Sequence, residues 1–239
     1  MASAPRVKIC CIASLAEARL AQAAGATALG LVSAMPSGPG VVADSVIAEV
    51  AAALRGAPVR TFLLTALTSA AAIARQHAAA GTTTLQLVDH VPFDELRRLR
   101  DRCPGVELVQ VIHVGSDASL AQALAVAPLV DALLLDSGNP ALAVKQLGGT
   151  GRTHDWGLSR HIRDAVWPLP LWLAGGLRAH NVAAAMAAVQ PHGIDLCTGV
   201  RSAGRLDATK LAAFMVAVRA AVAAVAAIEA AVEAATGRA

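Results

Sequence analysis

The chain has few aromatic residues, and this scarcity argues against one class of function. Of its 239 residues three are Trp, three are Phe and none is Tyr. Proteins that bind single-stranded nucleic acid stack its bases on aromatic side chains. The net charge is only +3, and the charged residues are too scattered to form a footprint for a phosphate backbone. The composition therefore predicts no nucleic-acid partner, although it is compatible with a small anionic substrate.

Patterns that would indicate a disulfide scaffold or a metal site are also missing. The cysteines, Cys10, Cys11, Cys103 and Cys197, contain no C-x-x-C motif, so we expect reduced thiols. The seven histidines lack the i, i+4 or Cys/His spacing of metal ligands, and we expect no metal.

No amino-terminal segment combines a basic region, an apolar core and a cleavage site, because a predicted strand begins near Lys8. We therefore expect a cytoplasmic protein. The apolar stretch 211–232 carries Arg219 and Glu229 and is mostly alanine, so we predict no membrane-spanning helix.

Eight short apolar runs alternate with eight helix-like segments. The runs are 7–12, 28–32, 59–64, 83–88, 106–114, 133–137, 171–174 and 194–198. They are continuously apolar, as in strands with both faces buried. A doubly wound sheet would normally carry a glycine fingerprint after its first strand, and Cys-Cys-Ile-Ala-Ser follows here instead. We predict an α/β fold, a single (β/α)₈ TIM barrel domain over residues 1–239, with the barrel at about 7–219 and a helical extension at about 220–235.

In such a barrel the active site lies at the carboxyl ends of the strands. This rule places Cys10, Asp136, Asp195, the loop holding Asp155 and the pair Gly175-Gly176 around one mouth. A second glycine-rich run covers residues 148–151. Two such loops favour an anion site, because glycine lets backbone N–H groups approach a phosphate closely, although both could be simple turns.

Several short motifs, taken together, resemble one family. They are Lys8-Ile9-Cys10, Gln86-Leu87, Leu134-Leu135-Asp136-Ser137, Gly148-Gly149-Thr150-Gly151 with Asp155-Trp156, Leu173-Ala174-Gly175-Gly176-Leu177 with Asn181-Val182, and Asp195 with Gly199-Val200. They run in the order found in phosphoribosylanthranilate isomerases of tryptophan biosynthesis, from about residue 7 to about residue 218. The family's single-domain barrel agrees with the strand count.

The resemblance implies an Amadori rearrangement of a phosphoribosylamine to an amino-ketose, with no cofactor. It assigns Cys10 as the base and Asp155 as the acid of this reaction. It further implies substrate or phosphate contacts at Lys8, Gln86, Asp136, Gly149, Gly151, Arg152, Gly175, Gly176, Asp195, Gly199 and Arg201, and no metal. Arg201 stands where the family often has an acid, and we expect it to add a cation to the phosphate site.

Strand geometry suggests how the thiol is activated. Lys8 is two residues before Cys10 and therefore points to the same side, where its charge favours a thiolate. By the same alternation Cys11 is expected to face the helices. Structural roles stay open: Cys10 as a core residue, Asp155 as a helix N-cap, Lys8 paired with Asp136, and Asp195 as a carboxylate that binds loop N–H groups.

The sequence departs from the family where the anthranilate carboxylate is expected. The family's Ser-Pro-Arg is replaced by Ser37-Gly38-Pro39, so the usual arginine is missing. Either Arg152 or His154 binds the carboxylate, or the substrate is a different phosphoribosylamine. A barrel that only binds a phosphorylated metabolite is the third alternative, and it is disfavoured because such a protein has no need of a catalytic pair.

The last helix is longer than the barrel requires. One apolar stripe continues through it, made by Leu211, Phe214, Met215, Val218, Val222, Val225, Ile228 and Val232. The extra turns either fold back over the amino-terminal end of the barrel or pack against a second subunit, so that a monomer and a homodimer are both compatible with the sequence.

Overall fold

A computed structural model describes residues 5–139, 141–142 and 144–237, with the side chains of 231–236 excepted. Eight parallel strands close into a barrel in chain order. They are β1 (Arg6–Ile9), β2 (Ala28–Val32), β3 (Arg60–Thr65), β4 (Thr84–Leu87), β5 (Glu107–His113), β6 (Ala132–Asp136), β7 (Leu171–Leu173) and β8 (Gly193–Leu196). The predicted (β/α)₈ barrel is confirmed.

A helix follows every strand and covers the barrel. The helices are α1 (Leu15–Ala23), α2 (Asp44–Ala53), α3 (Ala70–Ala80), α4 (Phe93–Arg102), α5 (Ala118–Val126), α6 (Trp156–Ala165), α7 (Val182–Val189) and α8 (Ala208–Thr236). Before α8 the chain forms a short 3₁₀ turn, Thr198–Val200, and a small hairpin of β9 (Arg201–Ser202) and β10 (Arg205–Leu206).

The core has two layers because the barrel strands are buried on both faces. Leu29, Leu31 and many other aliphatic side chains fill the layer between strands and helices. Inside the barrel, Phe62 and Trp172 meet edge to face with ring centroids 5.6 Å apart. Gly193 makes room for Trp172, since a Cβ at this position would lie 2.5 Å from the indole ring.

Strand β1 is shorter than predicted, and this changes where Cys11 points. The strand ends at Ile9, and Cys11 has a φ of 63°, in the left-handed region that non-glycine residues seldom adopt. Strand alternation therefore stops before Cys11, and the prediction that it faces the helices is wrong. The turn is held by Arg201, whose Nη2 donates to the carbonyl oxygens of Cys10 and Cys11.

Helix α8 continues as one helix past the part that packs on the barrel. Its N-cap Asp207 accepts hydrogen bonds from two backbone N–H groups, and its first half buries a stripe against the barrel formed by Leu211, Phe214, Met215 and Val218. Residues 223–230 are all exposed, including Val225 at 45% and Ile228 at 64%. The alternative in which the extra turns fold back over the barrel is therefore wrong. Val232 lies outside the described side chains.

By length and composition alone, α8 could cross a membrane, since Ala208–Ala230 contains a window of mean hydropathy 2.3. The apolar face of the first half of α8, which includes Phe214, is buried against the barrel.

Candidate active site

One pocket opens at the carboxyl ends of the strands. It is lined by Cys10, Cys11, Val32, Met35, Ser37, Gly38, Pro39, Leu64, Gln86, Val88, Asp136, Leu147, Gly148, Gly149, Thr150, Gly151, Ala174, Gly175, Gly176, Leu177, Asp195, Leu196, Cys197 and Thr198. Eight of the predicted site residues are among them: Cys10, Gln86, Asp136, Gly149, Gly151, Gly175, Gly176 and Asp195.

Lys8 lies beneath the pocket and is fully buried. Strands β1 and β8 pair Lys8 with Asp195 in register, and the ammonium Nζ is 2.8 Å from Asp195 Oδ2. Lys8 is therefore paired with Asp195 and not with Asp136, the partner considered from the sequence. Lys8 also lies beside Cys10, because a Cβ built on Gly30 would be 3.2 Å from Lys8 Cε and 2.7 Å from Cys10 Sγ.

The charge of Lys8 is maintained by these neighbours. Burial acts to lower the pKa of Lys8, but the charges of Asp195 and Cys10 more than offset this effect and raise it above 10.5. The Lys8 ammonium is therefore a permanent positive charge beside Cys10.

Asp136 ends strand β6 with its carboxyl group in the pocket. Its Oδ1 accepts a hydrogen bond of 2.7 Å from the Ser137 N–H. Its Oδ2 lies against Gly148, where a Cβ would approach it to 2.7 Å. Burial raises the pKa of Asp136; the Ser137 N–H and His113 act in the opposite direction, and Asp195 adds to the rise. The carboxyl group therefore stays protonated to a higher pH than an ordinary aspartate.

Two buried oxygens in the pocket have no partner within the described part of the chain. They are Gln86 Oε1 and Asp195 Oδ1. A buried acceptor without a donor is costly, so these atoms are suited to accept hydrogen bonds from the hydroxyl groups of a bound sugar.

The two glycine loops form the other end of the pocket. Gly175 and Gly176 have φ values of 84° and 62°, and a Cβ on Gly176 would lie 2.7 Å from Thr153 N. Their N–H groups donate to no acceptor in the described chain. With Gly151 and Thr198 they form a polar, uncharged end of the pocket that suits an anion.

Asp155 lies outside this pocket. Its Oδ1 accepts hydrogen bonds from Gly157 N at 2.7 Å and Leu158 N at 3.1 Å, so it is the N-cap of α6. The residue is exposed and lines a separate cavity with Asp117, Arg152 and others. The barrel rule led us to expect Asp155 at the same mouth as Cys10, but the structure places the two residues in different cavities.

Three other predicted contacts also lie outside the pocket lining. Arg152 binds Gln146 Oε1 at 3.1 Å. Gly199 packs so tightly that a Cβ would collide with a carbonyl oxygen. Arg201 pairs with Glu17 at 3.1 Å, and because its charge is used there, the prediction that it adds a cation to the phosphate site is wrong.

His154 is not a suitable cation for a carboxylate. Burial lowers its pKa to about 4, so the ring is neutral at physiological pH. A Cβ on Gly175 would lie 2.9 Å from His154 Nδ1, which places the imidazole against the glycine loop.

Cys11 and Cys197 are among the pocket residues that sequence reasoning missed. Their sulfur atoms are 2.6 Å apart. For Cys11 the sequence carried a signal: the family that the sequence resembles has a glycine at this position, and glycine is the residue that normally occupies a backbone with positive φ.

A family profile and known proteins of similar sequence carry the same description. A sequence profile described as N-(5'phosphoribosyl)anthranilate (PRA) isomerase matches residues 7–217. N-(5'-phosphoribosyl)anthranilate isomerase of Synechococcus elongatus is 36% identical over 211 residues, covering 87% of this chain and 93% of that protein.

Several similar solved structures carry this description too. Phosphoribosyl anthranilate isomerase from Thermus thermophilus superposes with a TM-score of 0.75 at 26% identity, covering 90% of this chain and 98% of that one. A structure described as monomers of the dimeric enzyme from Thermotoga maritima has a TM-score of 0.74 at 22% identity, covering 90% and 99%, and supports the fold.

Proposed function

The chain belongs to the N-(5'-phosphoribosyl)anthranilate isomerase family, and we propose that Cys10 and Asp136 are its catalytic base and acid. It is an isomerase that converts N-(5'-phosphoribosyl)anthranilate to the 1-deoxyribulose 5-phosphate product by an Amadori rearrangement. The observation that carries the catalytic proposal is the shared pocket: Cys10 and Asp136 line it, whereas Asp155 caps a helix outside it.

In this mechanism Asp136 begins as the neutral acid. It donates its proton to the ribose ring oxygen, and the C–O bond opens to give an iminium ion. Cys10, which lies beside the Lys8 ammonium, then acts as the base: it removes the proton from C2 and leaves an enolamine. The Cys10 thiol returns its proton at C1, and the C2 hydroxyl group gives its proton to the Asp136 carboxylate. The C2 ketone of the amino-ketose forms, and both groups regain their starting states. Gln86 Oε1 and Asp195 Oδ1 accept hydrogen bonds from the sugar hydroxyl groups and hold C2 near the sulfur.

Replacing the base should abolish most of the activity. We expect Cys10→Ser to lower kcat by at least about a hundredfold, because a serine hydroxyl is a far weaker base than a thiolate. KM should change little. The decrease in phosphoribosylanthranilate fluorescence measures the rate. Cys103→Ser, a buried cysteine at the end of α4, is the matched control and should retain wild-type turnover. Near-normal turnover of Cys10→Ser would exclude the assignment.

The phosphate of the substrate is assigned to the glycine loops. We expect crystals soaked in inorganic phosphate to show an anion bound by the N–H groups of Gly175 and Gly176 beside Thr198. A difference electron-density map from such crystals checks this. An anion found elsewhere, with this end of the pocket empty, would contradict the assignment.

The group attached to the phosphoribosyl amine nitrogen is the part of the substrate for which the pocket supports a second candidate. Within the described residues the pocket lining contains no Lys, Arg or His, so an anthranilate carboxylate has no cationic partner there. The nearby Lys145 is paired with Asp89 at 2.6 Å. The alternative is an isomerase of a phosphoribosylamine without a carboxylate. Comparing kcat/KM for N-(5'-phosphoribosyl)aniline with kcat/KM for N-(5'-phosphoribosyl)anthranilate discriminates the two, because a higher value for the aniline compound supports the alternative.

We expect the exposed half of α8 to affect assembly. A chain ending at Arg219 should remain folded, because Leu211, Phe214 and Val218 are retained. If Val222 and Val225 pack against a second subunit, light scattering will give a dimer for the full chain and a monomer for the shortened one. A monomer in both cases, with unchanged Tm, would contradict pairing through this helix. The single-domain organisation and the cytoplasmic location stay predictions.

A further inference from the structure

Three of the four thiols meet at the pocket mouth. Cys11 Sγ lies 2.6 Å from Cys197 Sγ, and Cys10 is the neighbour of Cys11 in the chain. Gly40 makes room for this arrangement, because a Cβ there would collide with Cys11 and lie 2.8 Å from its sulfur. The pair links two segments that are 186 residues apart in sequence, the turn after β1 and the loop after β8.

We propose that Cys11 and Cys197 form a reversible disulfide when the protein meets a hydroperoxide, and that this bond ties the β1 turn to the β8 loop. The proposal does not depend on the identity of the substrate. It uses two thiols that have no role in the mechanism above.

The electrostatic surroundings divide the roles between the two sulfurs. The hydrogen bond with Cys11 lowers the pKa of Cys197; burial opposes this, and the charge of Arg201 adds to the decrease. Hydrogen bonds with Cys10 and Cys197 raise the pKa of Cys11 well above its ordinary value. Of the two thiols, Cys197 is therefore the one that ionises more readily. Cys197 is also only half-buried, so it is the sulfur that can attack an oxidant from solvent.

The chemistry is a two-electron oxidation with the peroxide as electron acceptor. The Cys197 thiolate attacks one peroxide oxygen; the S–O bond forms, the O–O bond breaks, and the second oxygen leaves as hydroxide, which is protonated to water. Cys11 then attacks the Cys197 sulfur. The S–S bond forms, the S–O bond breaks, and the hydroxyl group leaves as water with the Cys11 proton. A dithiol reductant reverses the reaction.

The test treats the full chain with hydrogen peroxide, removes the oxidant with catalase and alkylates the remaining thiols under denaturing conditions. Mass spectrometry should find two alkylated cysteines instead of four, a mass lower by two hydrogens before alkylation, and one peptide pair joined through Cys11 and Cys197. Closing so long a loop should raise Tm by at least about 5 °C, and dithiothreitol should reverse the shift.

Matched variants make the test specific. Cys197→Ser and Cys11→Gly should each lose the linkage and the Tm shift. Glycine adopts the positive φ of residue 11 without strain, so Cys11→Gly should fold. Cys103→Ser, which removes the remote thiol, should keep both effects. Four alkylated thiols after peroxide, a disulfide that contains Cys10, or a linkage without any rise in Tm would overturn the proposal.

Discussion

Asp136→Asn is expected to lower kcat by roughly 10²–10⁴-fold, the range for loss of a general acid. Asparagine has nearly the size of aspartate and still accepts the hydrogen bond from the Ser137 N–H, so the strand end should keep its shape. It has no acidic proton to give to the ring oxygen. Single-turnover rates with phosphoribosylanthranilate measure the effect on chemistry separately from product release.

Asp155→Asn is the matched control, because it makes the same chemical change at the aspartate outside the pocket. Asparagine caps helices about as well as aspartate, so turnover and Tm should both stay close to wild type. Asp155→Ala should lower stability by about 1 kcal/mol through loss of the cap on α6, with kcat retained. If Asp155→Asn lost activity and Asp136→Asn kept it, the acid would have to be reassigned.

The pH dependence of kcat gives an independent measure of the acid. Asp136 works in its protonated form, so activity falls as pH rises through its pKa. Burial raises that pKa above the ordinary value of 3.8, so the active form persists to higher pH than for an exposed aspartate. The residual activity of Asp136→Asn should lack this decrease. An unchanged profile in the variant would assign the decrease to another group.

The barrel was predictable because its strands are short apolar runs that differ clearly from the helices between them. The end of β1 was not predictable. Apolarity continues from Ile9 through Cys11, but the chain turns at Cys11, where φ is 63°. Backbone direction at one residue depends on what packs against it, here Gly40 and the bonds from Arg201, and both come from distant parts of the sequence.

The position of the catalytic acid was also not predictable from the sequence. Asp136 and Asp155 both belong to segments that precede α6 at the carboxyl end of the barrel, so the barrel rule could not separate them. The resemblance assigned the acid to Asp155, which the structure places outside the pocket. The separation of the two aspartates depends on the path of the loop between them, in which Gly148 packs on Asp136 and the Arg152-Thr153 backbone packs on Gly176. Such contacts between glycine backbones leave no hydrophobic periodicity in the sequence.

The Lys8–Asp195 pair was also hidden in the sequence, since barrel closure brings together residues that are 187 positions apart. Both partners are buried, with side-chain exposures of 0% and 7%, and the ammonium group lies 5.2 Å from the Phe62 ring centroid. A buried pair of this kind adds little over an apolar pair of similar size, but removing one partner leaves an uncompensated charge inside the protein.

Lys8→Met should therefore lower the free energy of unfolding by about 3–5 kcal/mol, the range for a broken buried ion pair. Urea denaturation at neutral pH measures it, since the pKa of Lys8 is raised and the pair's contribution is complete below 10.5 and lost only in more alkaline solution. Lys145→Met breaks the more exposed pair with Asp89 and should cost at most about 1 kcal/mol. Adding Asp195→Asn to Lys8→Met removes the stranded carboxylate and should recover a large part of the loss. If Lys8→Met were no more destabilising than Lys145→Met, or if the second substitution recovered nothing, the buried charge could not be what makes Lys8 necessary.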